Sequence, residues 1–99
     1  MRLKDFNETF LEELQDTEFA AAYLQSALEE GCLPRALQNV VKANGGMTWL
    51  AKETALGRES LYKSLAEQSN PEFKTVESVL SALGLRLEIT PKGATDTAA

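Results

Sequence analysis

MTWLAKETALGRESLYKSL, residues Met47–Leu65, is the stretch on which the reading of this chain turns. Its apolar residues recur at the three- and four-residue spacing of two short amphipathic helices joined by a tight turn. Leu50, Ala51 and Thr54 fall on one side of the first helix, and Leu56, Leu61 and Leu65 supply the buried side of the turn and second helix. A small residue at Ala51 lets the two helices cross closely. Facing outward on the second helix are Glu59, Tyr62, Lys63 and Ala66, with Arg58 at its N-terminal shoulder. That is the arrangement of a helix-turn-helix whose second helix meets a major groove.

Each outward residue has a second possible role. Arg58 suits bidentate donation to a guanine or contact with a phosphate, and equally a nearby carboxylate. Tyr62 offers a ring to a thymine methyl and a phenol to a phosphate, or packs at the core's edge. Glu59 and Lys63 stand at the i,i+4 spacing that favours a surface ion pair, and Lys63 also suits a phosphate. Thr48 and Trp49 open the first helix, where backbone N–H groups and the indole N–H can hold a phosphate, with partly buried packing as the alternative for Trp49.

Outward from this segment, the 99 residues with 43% apolar content support one modest core. Helix formers dominate, so the expected class is all-α with five to six short helices. A first helix is expected over about Asn7–Gln15, with Phe6, Phe10, Leu11 and Leu14 on one side. Asp16 is placed to cap a longer helix with Phe19, Tyr23, Leu24, Ala27 and Leu28 as its apolar stripe, ending at Gly31. Pro34 suits the first turn of a third helix carrying Leu37, Val40 and Val41, which stops at Asn44-Gly45-Gly46. After the break at Ser69-Asn70-Pro71, Thr75 is placed to cap a last helix with Val76, Val79, Leu80 and Leu83 inward, closed by Gly84.

Leu85-Arg86-Leu87-Glu88-Ile89-Thr90 then alternates apolar and polar, the pattern of a strand. One strand in a helical domain needs a partner for its backbone hydrogen bonds, most simply from a second copy of the chain. An antiparallel pair centred on Leu87 would set Arg86 opposite the partner's Glu88, so Leu85, Arg86, Leu87, Glu88 and Ile89 form the expected interface of a homodimer. The alternative is an extended segment packed on its own domain. The chain thus divides into an acidic N-terminal helical region at 1–31 packed on the core, a helix-turn-helix domain with its terminal strand at 32–90, and a tail at 91–99 expected to be disordered.

Histidine is absent, which removes the commonest general base and transition-metal ligand together. No cysteine pair, phosphate loop or calcium-loop spacing is present, so no catalytic, cofactor or metal residues are expected and the chain reads as a non-enzyme. The single cysteine, Cys32, accords with a reducing compartment and is expected as a small buried apolar residue. No run approaches the roughly 20 apolar residues of a membrane span, giving an expectation of a cytoplasmic protein without membrane partners.

Charge is unevenly distributed. Residues 1–31 set Arg2 and Lys4 against eight acids, a balance of −6; residues 32–63 reverse to +3; the remainder carries −2. An acidic protein binds DNA only through a locally basic face, and the central segment holds it. The acidic N-terminus reads either as a solvated helix face or as a docking surface for a basic partner.

The stretch from Gly45 to Ile89 resembles the C-terminal part of the phage-associated addiction-module antidote family. That family is a branch of the λ repressor/Cro-like helix-turn-helix proteins related to HigA-type antitoxins. The resemblance rests on Leu50-Ala51, Arg58-Glu59-Ser60-Leu61-Tyr62, Asn70-Pro71, Thr75 and Ala82-Leu83-Gly84-Leu85. Ala22-Tyr23-Leu24 with Ala27-Leu28 is similar to the family's leading helix. The resemblance implies a type II antitoxin that represses its own operon as a dimer on operator DNA and neutralises a small basic RelE/ParE-like toxin. A stand-alone phage-type regulator without a toxin and a non-DNA-binding adaptor are the other readings. Where the family's turn has Gly, a hydrophobic residue and Ser, this chain has Ala55-Leu56-Gly57. Positive φ at Ala55 would cost on the order of 1 kcal/mol, and Gly in place of Ser as N-cap only a few tenths (~0.3 kcal/mol).

Overall fold

Local backbone chemistry sets most helix ends. The computed structural model of the chain describes residues 6–66 and 68–92. Six helices follow one another: α1 (Phe6–Glu13), α2 (Thr17–Glu30), α3 (Leu33–Ala43), α4 (Gly46–Thr54), α5 (Arg58–Ser64) and α6 (Phe73–Ala82). The Asp16 carboxylate accepts the Glu18 N–H at 3.0 Å and so caps α2. Gly31, with φ 80°, lets the chain leave that helix through the left-handed region. Pro34 sits in the first turn of α3, where its missing N–H is not needed. At the end of α6, Gly84 donates to the Ser81 carbonyl and Leu85 to that of Leu80, at 3.0 and 2.8 Å. This double closure folds Leu85 back onto the core.

One apolar cluster joins the helices. Leu14, Leu37, Leu50, Leu61, Leu65, Val40, Val41 and Val79 are its most completely buried members, and no polar side chain among the described residues is buried with them. α3 packs on α1, α2 and α4, while α4 also packs on α5 and α6. The acidic N-terminal region therefore contributes Leu14, Ala20, Leu24 and Ala27 to the same core that holds α5.

Three expectations are corrected. The inward stripe of α2 is Ala20, Leu24 and Ala27, with Tyr23 at its margin, whereas Phe19 and Leu28 are 37% and 50% exposed. Both stripes satisfy a helical period; the one carrying two alanines permits the close approach of α3. Thr75 is not a cap, because α6 begins at Phe73 with Glu72 in the cap position and no capping side chain. This helix start is at the surface, where water satisfies the first N–H groups. Cys32 is exposed, because the turn that Gly31 opens between α2 and α3 runs over the surface.

The C-terminal strand is not shown by the single chain. Among the described residues there is no β-ladder, and residues 85–90 carry no strand within the single chain. A ladder requires two extended segments, and the described residues of one chain pair none. Beyond Leu85 the apolar residues point away from the core: Leu87 is exposed and Ile89 is 98% exposed. Arg86 and Glu88 pair with each other at 3.3 Å, so the two residues expected to bridge two chains meet along one. Residues 93–99 of the expected tail lie outside the described residues.

Candidate nucleic-acid interface

The turn between α4 and α5 is built from three residues with separate tasks. Ala55 adopts φ 61°, ψ 17° and donates its N–H to the Ala51 carbonyl at 2.9 Å. The preceding Thr54 hydroxyl donates to the Leu50 carbonyl at 2.8 Å and accepts the Leu56 N–H at 3.2 Å. This hydroxyl relay joins the last turn of α4 to the first residue beyond it, which holds the left-handed alanine in place. Leu56 then packs on the core, and extended Gly57 opens α5 without a side-chain cap.

Leu61 and Leu65 anchor α5 from below with no measurable exposure. Gln38 of α3 donates its side-chain amide to the Leu65 carbonyl, and the Ser69 hydroxyl donates to the Ser64 carbonyl. Both ends of the following turn are thereby tied to the body. The opposite face of α5 presents Arg58, Glu59, Ser60, Tyr62 and Lys63 to solvent. The Arg58 guanidinium carbon stands 6.0 Å from the centre of the Tyr62 ring, within the range of a cation–π contact. Arg58 and Tyr62 are thus brought together as one unit one turn apart.

An open groove lies on each side of this ridge. One, of about 400 Å³, runs between α3 and the start of α4 and is lined by Gln38, Asn39, Lys42, Gly46, Met47 and Tyr62. The other, of about 570 Å³, is bounded by Ser60, Lys63 and Ser64 of α5 and by Ser69, Asn70 and Thr75 across from them. Each groove carries one lysine, and the second also carries the Glu72 carboxylate. Lys42, Gln38 and Asn39 escaped the sequence reading because they precede the motif by several residues and reach its flank only through helix packing. The one available signal was that Lys42 adds to the positive balance of residues 32–63.

The α4 residues divide. Thr48 is exposed, whereas Trp49 is half-buried against the core. Its ring lies so close to the Gly45 backbone that a Cβ there would be 2.7 Å from the indole Cγ, and Gly45 itself has φ 139°. Glycine is required on both counts. Residues 85–89 lie on the segment that follows α6. Among the described residues no group of His, Cys, Asp or Glu is arranged to hold a metal, and no helix is long and apolar enough to cross a membrane.

A second surface is built where α1 meets α2. The Phe10 ring packs edge-to-face on Tyr23 at 5.2 Å and on Phe19 at 6.4 Å, and the Tyr23 hydroxyl accepts the Asn39 side-chain N–H at 2.9 Å. Four side chains from α1, α2 and α3 are thus locked together, with Phe19 at the outer edge.

Residues 2–91 match the family model described as probable addiction module antidote protein. The chain belongs to this family. It is 34% identical over 91 residues to an uncharacterized protein of Haemophilus influenzae (strain ATCC 51907 / DSM 11121 / KW20 / Rd), an alignment covering 89% of this chain and 91% of that relative. No solved structure matches it. An addiction-module antidote implies a toxin partner.

Proposed function

We propose that this antidote is a type II antitoxin of the HigA-like, λ repressor/Cro-like kind. In this reading it binds operator DNA as a dimer, represses its own operon and neutralises a small basic RelE/ParE-like toxin in the cytoplasm by binding alone. The observation that carries the DNA part is the exposed face of α5, where Arg58, Glu59, Tyr62 and Lys63 stand on a helix locked from below by Leu61 and Leu65. A rigid polar helix of this kind enters a major groove roughly 12 Å wide. The flanking grooves, with Lys42 in one and Lys63 in the other, then receive the two phosphate strands. Thr48 opens α4 beside the first of these grooves.

The strand reading belongs to the same proposal. Leu87 and Ile89 find cover when residues 85–89 of two chains pair antiparallel, and the intrachain contact of Arg86 with Glu88 exchanges for contacts across the twofold axis. Two copies of α5 would then address two half-sites.

Fluorescence anisotropy with the DNA upstream of the gene tests the reading. Saturable binding whose affinity falls steeply with salt is expected, and Arg58→Ala should weaken it by about 1–3 kcal/mol while leaving the thermal melt unchanged. Binding indifferent to sequence and to Arg58 refutes the assignment of α5.

A further inference from the structure

The aromatic cluster on the N-terminal helices leaves Phe19 outside the core on which Phe10 and Tyr23 pack. Phe19 is 37% exposed although the same helix buries Ala20, Leu24 and Ala27 beside it. Its ring is supported on one side by Phe10, which is itself edge-on to Tyr23, and Tyr23 is fixed by Asn39. An exposed aromatic side chain held in one orientation loses little entropy on burial, which is the property of an interface anchor. Along α1 and α2 the charge has one sign, and Arg35 stands one turn before Asn39 on the neighbouring α3. From residue 6 to residue 34 the chain has seven acids and no lysine or arginine. Glu18 precedes Phe19, Glu13 follows Phe10 by one turn of α1, and Glu30 lies in line with Phe19 three turns along α2; all three are exposed.

This pairing of an apolar anchor with acidic helices selects the occupant. A second copy of the chain would bring like charges together, and a nucleic acid would be repelled. A cationic protein surface with an apolar pocket satisfies both features. We propose that the Phe10–Phe19–Tyr23 cluster, with Glu13 and Glu18 beside it and Glu30 further along the same helix, is the docking surface for the toxin, with Phe19 inserting into an apolar pocket between basic side chains. The inference rests on the antitoxin reading and adds to it the anchor and the recognition chemistry.

The experiment uses the full chain and the basic protein encoded by the adjacent gene, with binding followed by titration calorimetry. Phe19→Ala should weaken the complex by about 30-fold or more, the loss typical of a truncated anchor. Because Phe19 contributes to packing, a second variant carries Glu18→Lys and Glu30→Lys on exposed positions. It should slow association and remove most of its salt dependence while the far-UV melt stays that of the parent. If the parent chain binds and both variants bind as tightly, this surface is refuted while the antitoxin reading stands. If the parent chain does not bind that protein, both fail. A shift of Phe19→Ala from dimer to monomer in sedimentation would instead give the surface to a second copy and overturn the proposal.

Discussion

Replacing Ala55 by glycine should stabilise this protein, although it deletes a methyl group from a helix end. Ala55 has φ 61° and is the one non-glycine residue with positive φ among those described. An L residue in the left-handed region costs roughly 1–2 kcal/mol relative to its right-handed conformation, because Cβ crowds the following carbonyl oxygen. Glycine removes that term. Against it stands the greater freedom of glycine in the unfolded chain, about 0.4–1 kcal/mol. Ala55 is exposed, so the lost methyl forfeits little burial. The balance is a gain of about 0.5–1 kcal/mol, which in a domain of this size raises the melting temperature by about 2–8 °C. Calorimetric melts at several fixed protein concentrations measure it, since dimerisation would make any single value concentration-dependent. Ala55→Val should move the melt the other way, because a β-branched residue resists this conformation more strongly. Thr54→Val should cost about 1 kcal/mol by removing the hydroxyl that accepts the Leu56 N–H and ties it to the Leu50 carbonyl. Its effect should not add simply to that of Ala55→Gly, since both act on one turn. A glycine variant that melts at or below the parent temperature would refute the left-handed turn or the claim that its strain persists in solution.

Three further outcomes follow from the same geometry. Gly45→Ala should destabilise by about 2 kcal/mol in a urea titration, through positive φ and the collision of its Cβ with the Trp49 ring; a neutral result would mean that Trp49 does not pack there. Asp16→Ala should cost about 1 kcal/mol by removing the cap of α2, with Asp16→Asn restoring most of it. Truncation after Arg86 removes Leu87 and Ile89 but keeps Leu85 on the core, and should give a folded monomer in sedimentation velocity. A truncated dimer would discard strand pairing.

Much of the helical framework was legible because the signals are local. Asp16 caps α2 by reaching two residues forward, Gly31 and Gly84 end helices by adopting positive φ, and Pro34 fits a first turn. Each depends on neighbouring backbone alone, so residue type and position suffice. The exposed residues of α5 were legible for a related reason: burying Leu61 and Leu65 leaves Arg58, Glu59, Tyr62 and Lys63 on the other side of a regular helix.

What escaped the sequence depends on what comes to lie opposite. On α2 two apolar stripes share one period, and only the arrival of α3 decides that Ala20, Leu24 and Ala27 turn inward while Phe19 and Leu28 remain outside. Lys42 and Tyr62, twenty residues apart, line one groove because α3, α4 and α5 pack around a common core. The alternation at Leu85–Ile89 describes a segment able to pair, but a ladder is a property of two segments. The sequence alone therefore determined most helix ends, the outward residues of α5 and the sign of charge along the chain, all consequences of short-range backbone geometry and composition. The tertiary structure decided which apolar face was spare, which cation stood beside the exposed helix and which glycine an indole had to touch, because those follow from distances between residues the chain keeps far apart.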